Sequence, residues 1–236
     1  MPKKPLLSQC LRSMALLSAT TLWGTGCIAI NSYTSARVLE PGAMETSVRT
    51  GFTKADFAIG DLNVNLPILP ITDVGLRYGV NGKADVGFGF GMSKGLTFEG
   101  RFQLFADKKV AVALNPSVGG IFAGGFIAAG GYGVMDVPLV IGLMVGRDSE
   151  LVFTPKVAVR GILGQYDSQT GYASAVIPSL GIGMKLGLGP SLHLYPELSI
   201  GSARGTAGSN SGSASESLGP VINVGMGVGF GGKFQK

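Results

Sequence analysis

This 236-residue chain holds two cysteines, one histidine and one tryptophan, and only 14% of it is charged. Each scarcity excludes something. Without a Cys/His cluster no transition-metal site is expected, and no cofactor. No Lys/Arg cluster of the kind that follows nucleic acid occurs. A series of apolar 20-residue stretches is also missing, which argues against a bundle of membrane helices. Mean hydropathy is nevertheless +0.37, and 39 residues are glycine. The chain is too apolar for an ordinary soluble domain.

The first 27 residues explain part of the composition. Met-Pro-Lys-Lys is followed by an apolar core from Met14 to Trp23 and by Gly24, Thr25 and Gly26 ahead of Cys27. A basic start, a short apolar core and small residues read as an export signal. Residues 1–26 carry Lys3, Lys4 and Arg12 and no acid, so their removal lowers the formal charge from +5 to +2. Cys10 leaves with them, and the mature chain then has no internal disulfide. A cysteine directly after such a site resembles the bacterial lipoprotein signal, with Gly24 where that pattern has Leu. The resemblance implies lipidation of Cys27; Ile28 in the next position, rather than Asp, implies the outer membrane. An ordinary cleaved signal with an incidental cysteine is the alternative.

From residue 43 onward the dominant period is two. Val74, Leu76, Tyr78 and Val80 alternate with Gly75, Arg77 and Gly79; after Asn81-Gly82, a hairpin signal, Val86, Phe88 and Phe90 alternate with Asp85, Gly87 and Gly89. Leu192 to Ile200 and Ile222 to Phe230 repeat the pattern. Recurring alternation in segments of about ten residues is the mark of a transmembrane β-barrel. It predicts an all-β, antiparallel, up-and-down barrel of about ten strands, near 43–53, 70–80, 83–92, 95–106, 109–119, 131–146, 150–163, 173–187, 191–201 and 219–232. The predicted organisation is a signal peptide (1–26), a lipidated start with a periplasmic tether (27–42) and the barrel (43–236). Short joins alternate with longer ones at 54–69, 120–130, 164–172 and 202–218, which puts both termini in the periplasm. Ser202–Leu218 reads as a flexible Gly/Ser loop. Pro116, Pro155, Pro178 and Pro196 fall inside strands and predict bulges. The uncharged run Ser117–Met135 is long enough for a membrane helix, but its glycines favour two strand ends around a loop.

Similarity to small outer-membrane barrels generally extends over nearly the whole mature chain. Such barrels end on an aromatic residue; here Phe234 is followed by Gln235 and Lys236. That architectural resemblance names no activity.

The same period predicts what lines the lumen: the acids Glu45, Asp73, Asp85, Glu99, Asp136 and Glu197, and the bases Arg49, Arg77, Arg101, Lys156, Arg160 and Lys185. Equal numbers of both signs predict ion pairing rather than an ion-selective path. The inward glycines are read as serving strand curvature and aromatic packing. His193, Glu197 and Ser199 share a face, but residues two apart on a strand are roughly 7 Å apart, so no catalytic relay is expected. Gly227-Val-Gly-Phe-Gly-Gly232 matches a dinucleotide fingerprint in spacing only, since it opens no helix. Asp56 and Asp61 read as solvated loop charges. Outer-membrane lipid is the one partner expected. Three functions stay open: a structural or surface-interacting barrel, a narrow pore for small solutes, and a soluble β-sandwich tethered by Cys27.

Overall fold

The computed structural model describes residues 30, 32–59, 62–92, 94–124, 128–146, 148–166, 169–209 and 212–234. Residues 1–26 and Cys27 lie outside them, as does Asp61. Eleven strand segments follow in order: β1 Met44–Ile59, β2 Leu62–Asn81, β3 Ala84–Gly91, β4 Gly95–Ala106, β5 Val110–Leu114, β6 Ser117–Gly124, β7 Ala128–Met144, β8 Glu150–Tyr166, β9 Gln169–Gly187, β10 Leu192–Ser209 and β11 Gly212–Gly231. β5 and β6 both lie between β4 and β7, as one strand broken at Asn115-Pro116, so the wall has ten strand positions. Every pairing is antiparallel. β1 pairs with β11 and β3 with β4, and the sheet closes on itself. Closure removes the soluble β-sandwich from consideration.

Alternation decides which way each side chain points. On β11, Ile222, Val224, Met226 and Phe230 are 41–54% exposed, while the intervening Val221 and Asn223 are buried. Val74, Leu76, Tyr78, Phe88, Phe90 and Phe98 continue the exposed apolar surface around the wall. Such a surface is stable facing lipid and costly facing water. Glu45, Arg77, Asp85, Arg101, Asp136, Lys156 and Arg160 are buried on the inner face, where the wall supplies partners.

Three expectations change. The stretches read as loops are largely strand: β1 and β2 pair out to Ile59↔Leu62, β8 and β9 to Tyr166↔Gln169, and β10 and β11 to Ser209↔Gly212. Ser202–Leu218 is thus a paired hairpin extension. Because a tilted strand needs only about 9–11 residues to cross a bilayer, the 18–20-residue strands β2, β9, β10 and β11 project well beyond it. The prolines do not produce bulges. Pro116 ends a strand instead, and across Pro196 the β9–β10 register runs from Leu194↔Leu186 to Glu197↔Gly183 without a shift. A proline removes one donor, which one side of a barrel ladder tolerates when the other side stays paired. The recorded register shifts lie at Thr53/Ala55, Gly79/Asn81, Gln103/Phe105 and Ser202/Arg204. As the glycines of Ser117–Met135 favoured, that run forms β6 and the start of β7; among the described residues no helix is long and apolar enough to cross a membrane.

The largest correction concerns the segment before β1. Residues 30 and 32–39 were expected to form a tether outside the barrel. They run inside it, with Ile30, Ala36, Val38 and Leu39 at 0–1% exposure.

Candidate functional site: a strap in the lumen

This strap enters beside the first residues of β1, where Leu39 bridges Phe234 and Glu40 N–H donates to the Lys233 carbonyl. It then climbs the lumen toward the hairpin end. Apart from that bridge it forms no ladder with the wall. Wall side chains hold it by its main chain. Asp85 accepts from Leu39 N–H at 3.0 Å, Gln103 Oε1 from Val38 N–H at 3.1 Å, and Glu150 from Ala36 N–H at 3.0 Å and the Ser35 hydroxyl at 2.5 Å. Glu197 accepts from Ser32 N–H at 2.9 Å and Tyr33 N–H at 2.5 Å. Donors meet the carbonyls: Arg101 to Ser35 at 2.7 Å, Gln103 to Ala36 at 3.0 Å, and Lys156 to Ile30. Tyr33 lies at φ +42°, a left-handed conformation uncommon for a side-chain-bearing residue. The kink places two successive N–H groups on one carboxylate, the geometry by which a backbone nest grips an anion.

The strap also fills apolar gaps. Ile30 sits among Tyr132, Val134, Ala158, Ile177, Ala203 and Val221, and Ala36 among Ala111, Val140 and Val152. Burying the Ile30 side chain alone contributes about 1.5–3 kcal/mol. What makes the room is glycine. A Cβ on Gly225 would fall 1.9 Å from the Tyr33 hydroxyl oxygen, one on Gly51 2.4 Å from it, and one on Gly142 2.9 Å from Ala36 Cβ. Part of the inward glycine therefore clears a bed for the strap, beyond the curvature role expected of it. Between Tyr33, Ser35, Arg49, Arg77 and Tyr195 the remaining cavity is ≈ 10 Å³, enough for about one water.

Each of the twelve charged residues predicted to line the lumen lies on the inner face, buried or half-buried. The structure sorts them into groups. Arg49 pairs with Glu99 at 3.0 Å, Arg77 with Glu99 and, at 2.9 Å, with Asp85, and Arg101 with Asp85 at 2.5 Å. Asp73 is Arg49's cross-strand neighbour on β2. Farther around the wall Asp136 holds Arg160 at 2.6 Å and Lys94 at 2.7 Å. Burying these charges is tolerable because each meets its opposite or a dipole. The remaining four serve other ends: Glu197 and Lys156 grip the strap, Glu45 accepts from Tyr195 at 2.9 Å, and Lys185 lies 3.3 Å over the Phe234 ring.

Glu150 was missed, although it continues the inward parity of Thr154 and Lys156 by two more steps. It is 1% exposed. His193 packs edge-on against Phe234 at 5.2 Å, whereas Ser199 donates to Glu197 at 2.7 Å. Histidine, serine and carboxylate are therefore not arranged as a relay. Gly227–Gly231 lies within β11 and opens no helix. Among the described residues no group of three His, Cys, Asp or Glu could hold a metal ion.

An even number of antiparallel strands, an apolar exterior and a charged interior decide the class. The fold is that of a bacterial outer-membrane β-barrel. No protein-family model matches the sequence, and a search of curated proteins finds no match either. Among solved structures the barrel is similar to Ail, the attachment invasion locus protein of Yersinia pestis, at 11% identity and TM-score 0.36, over 81% of this chain and 99% of that one. It is similar to the outer membrane protease OmpT from Escherichia coli at 12% and 0.37, over 85% and 98%. For the outer membrane protein OprG from Pseudomonas aeruginosa the values are 10% and 0.35, over 82% and 99%. The membrane reading rests on this chain's own ladder and surface.

Proposed function

We propose that the protein is an outer-membrane barrel that rests closed, with a structural or surface-interacting role and no catalysis. The observation that carries this reading is the lumen occupied by residues 30 and 32–39, gripped through their main chain by Asp85, Gln103, Glu150 and Glu197. A path blocked by eight buried residues conducts nothing. In the proposed orientation the end holding the start of β1 and the end of β11 faces the periplasm, and the long hairpins face outward. Purified full-length protein in planar bilayers is expected to show no steady single-channel conductance. Sustained channels from the unmodified chain would sink the reading.

A second reading, a narrow pore for small solutes, draws on the glycine bed. With the strap withdrawn, Gly51, Gly225, Gly227 and Gly142 would leave an open cleft along the wall. Solute flux that appears only in strap-disrupted variants would favour it.

Export and acylation at Cys27 belong to the same proposal. Two residues, Ile28 and Ala29, separate Cys27 from Ile30, a reach of at most about 11 Å. A lipid on Cys27 and a seated Ile30 therefore compete for the same short stretch. Mass spectrometry of the mature N-terminus tests the acylation directly.

A further inference from the structure

The grip on the strap is of an unusual kind for a chain's own core. Wall side chains, rather than a strand edge, hydrogen-bond the main-chain groups of residues 30, 32, 33, 35, 36, 38 and 39, and the side chains of Tyr33, Thr34, Ser35 and Arg37 add contacts of their own. Main-chain groups are common to every peptide. Selectivity comes from the side chains: a small hydroxyl residue at 35 on Glu150, a small residue at 36 beside Gly142, and one aromatic at 33 above Gly51 and Gly225. The strap is joined to the wall through Glu40, Pro41 and Gly42, which are exposed. The arrangement is that of a receptor with a tethered ligand.

We propose that the lumen is a binding site for an extended peptide, occupied here by residues 32–39, and that a segment supplied by another chain can take their place. The ligand class is a peptide with two adjacent small residues and an aromatic two positions before them. This inference rests on the plug reading above and names what the plugged site recognises. Tethering opposes exchange: a short linker gives the strap an effective concentration of the order of mM. A free peptide at about 10 µM is then roughly a hundredfold disadvantaged.

The test separates tether from site. A protease site is inserted between Pro41 and Gly42 in the full-length chain, the barrel is folded, and the exposed turn is then cut. A fluorescent peptide of residues 30–41 is added before and after cutting, with conductance recorded on the same samples. Uncut barrel is expected to take up little peptide at about 10 µM and to approach half-occupancy only near mM. Cut barrel is expected to retain its strap and exchange it for the labelled peptide, while a peptide carrying Ala36→Arg is excluded. A strap that never exchanges, or that leaves without the labelled peptide binding, overturns the receptor inference while a silent uncut barrel keeps the plug reading. Channels from the uncut barrel overturn the plug reading itself. If the insertion blocks folding, full-length Ala36→Arg supplies the empty site: it should bind the wild-type peptide, and failure to bind in a barrel that shows heat-dependent gel mobility counts against the proposal.

Discussion

Arg101 and Asp85 face each other directly across β3 and β4, joined through Nε at 2.9 Å and Nη2 at 2.5 Å. Both are essentially sealed from solvent, and each also holds the strap: Asp85 by Leu39 N–H, Arg101 by the Ser35 carbonyl. Wall and plug thus share one ion pair. Asp85→Ala leaves the Arg101 guanidinium without its carboxylate and Arg77 with Glu99 alone, and breaking a buried pair in this way costs about 3–5 kcal/mol. The expected result is a clearly lower urea midpoint for the micelle-folded protein. The double variant Asp85→Ala/Arg101→Ala should lose less than the two single losses added together, since the residues act as a pair. Additive losses would show that they do not.

Seating of the strap has its own readout. Arg37 is 4% exposed, so trypsin should cut after it slowly while the barrel is folded. At Gly227 a Cβ would stand 3.2 Å from Tyr33 Cβ and 3.4 Å from Tyr195 Cβ. Gly227→Val is expected to displace the strap and speed cleavage at Arg37 by at least about tenfold, a shift of 1.4 kcal/mol in the opening equilibrium. Adding Tyr33→Gly, which removes the Cβ in the way, should recover much of the protection. Unchanged cleavage in Gly227→Val would mean that Tyr33 does not fix the strap.

The outer surface makes a contrasting prediction. Phe88 is 45% exposed at the middle of β3 and meets Phe98 edge-on at 5.4 Å. Phe88→Arg puts a charge against lipid, at an expected cost of about 2–4 kcal/mol near the bilayer midplane. Unfolding in vesicles should register it. A neutral result would place Phe88 outside the apolar band.

Much of this architecture was legible from period alone. Phe88 and Phe98 outward, Asp85 and Arg101 inward, and the Asn81-Gly82 turn all follow from alternation and turn chemistry. The strap was not legible, because Ser32 to Leu39 has no period of two and no ladder; its partners come from β3, β4, β8 and β10, which only closure assembles. Gly225 and Gly51 were readable as inward glycines, yet a cleared space does not say what fills it. The hairpin extensions were hidden for another reason. Ser202–Leu218 has the composition of a loop, and main-chain pairing from Arg204↔Ser217 to Ser209↔Gly212 holds it as strand.

The turn after β4 offers a pH test outside the membrane. Asp107 accepts from the N–H groups of Val110 and Lys109, both at 2.7 Å, and these bonds hold its carboxyl below the usual aspartate range. A depressed folded value means the stabilisation is present above the unfolded value and fades as pH falls through the folded one. Asp107→Asn should therefore lower stability near pH 7 and flatten the acid limb in that window, so that variant and wild type converge at low pH. A wild-type Asp107 that titrates at the ordinary aspartate value, followed by NMR, would remove the basis for this.

The position of the strap in the chain also constrains assembly. Residues 30–40 precede β1, yet the groups that seat them belong to strands spread from β3 to β10, and the barrel shuts only when β11 reaches β1. A sealed cylinder offers no side entrance, so a leading segment not already in place when the last strands are laid down can enter only through an open end. Zipping of β11 onto β1 is then also the step that closes the wall around the leader. Correct insertion and correct stoppering become a single event, and a barrel that closes without its leader enclosed is a distinct, separable misfolded product.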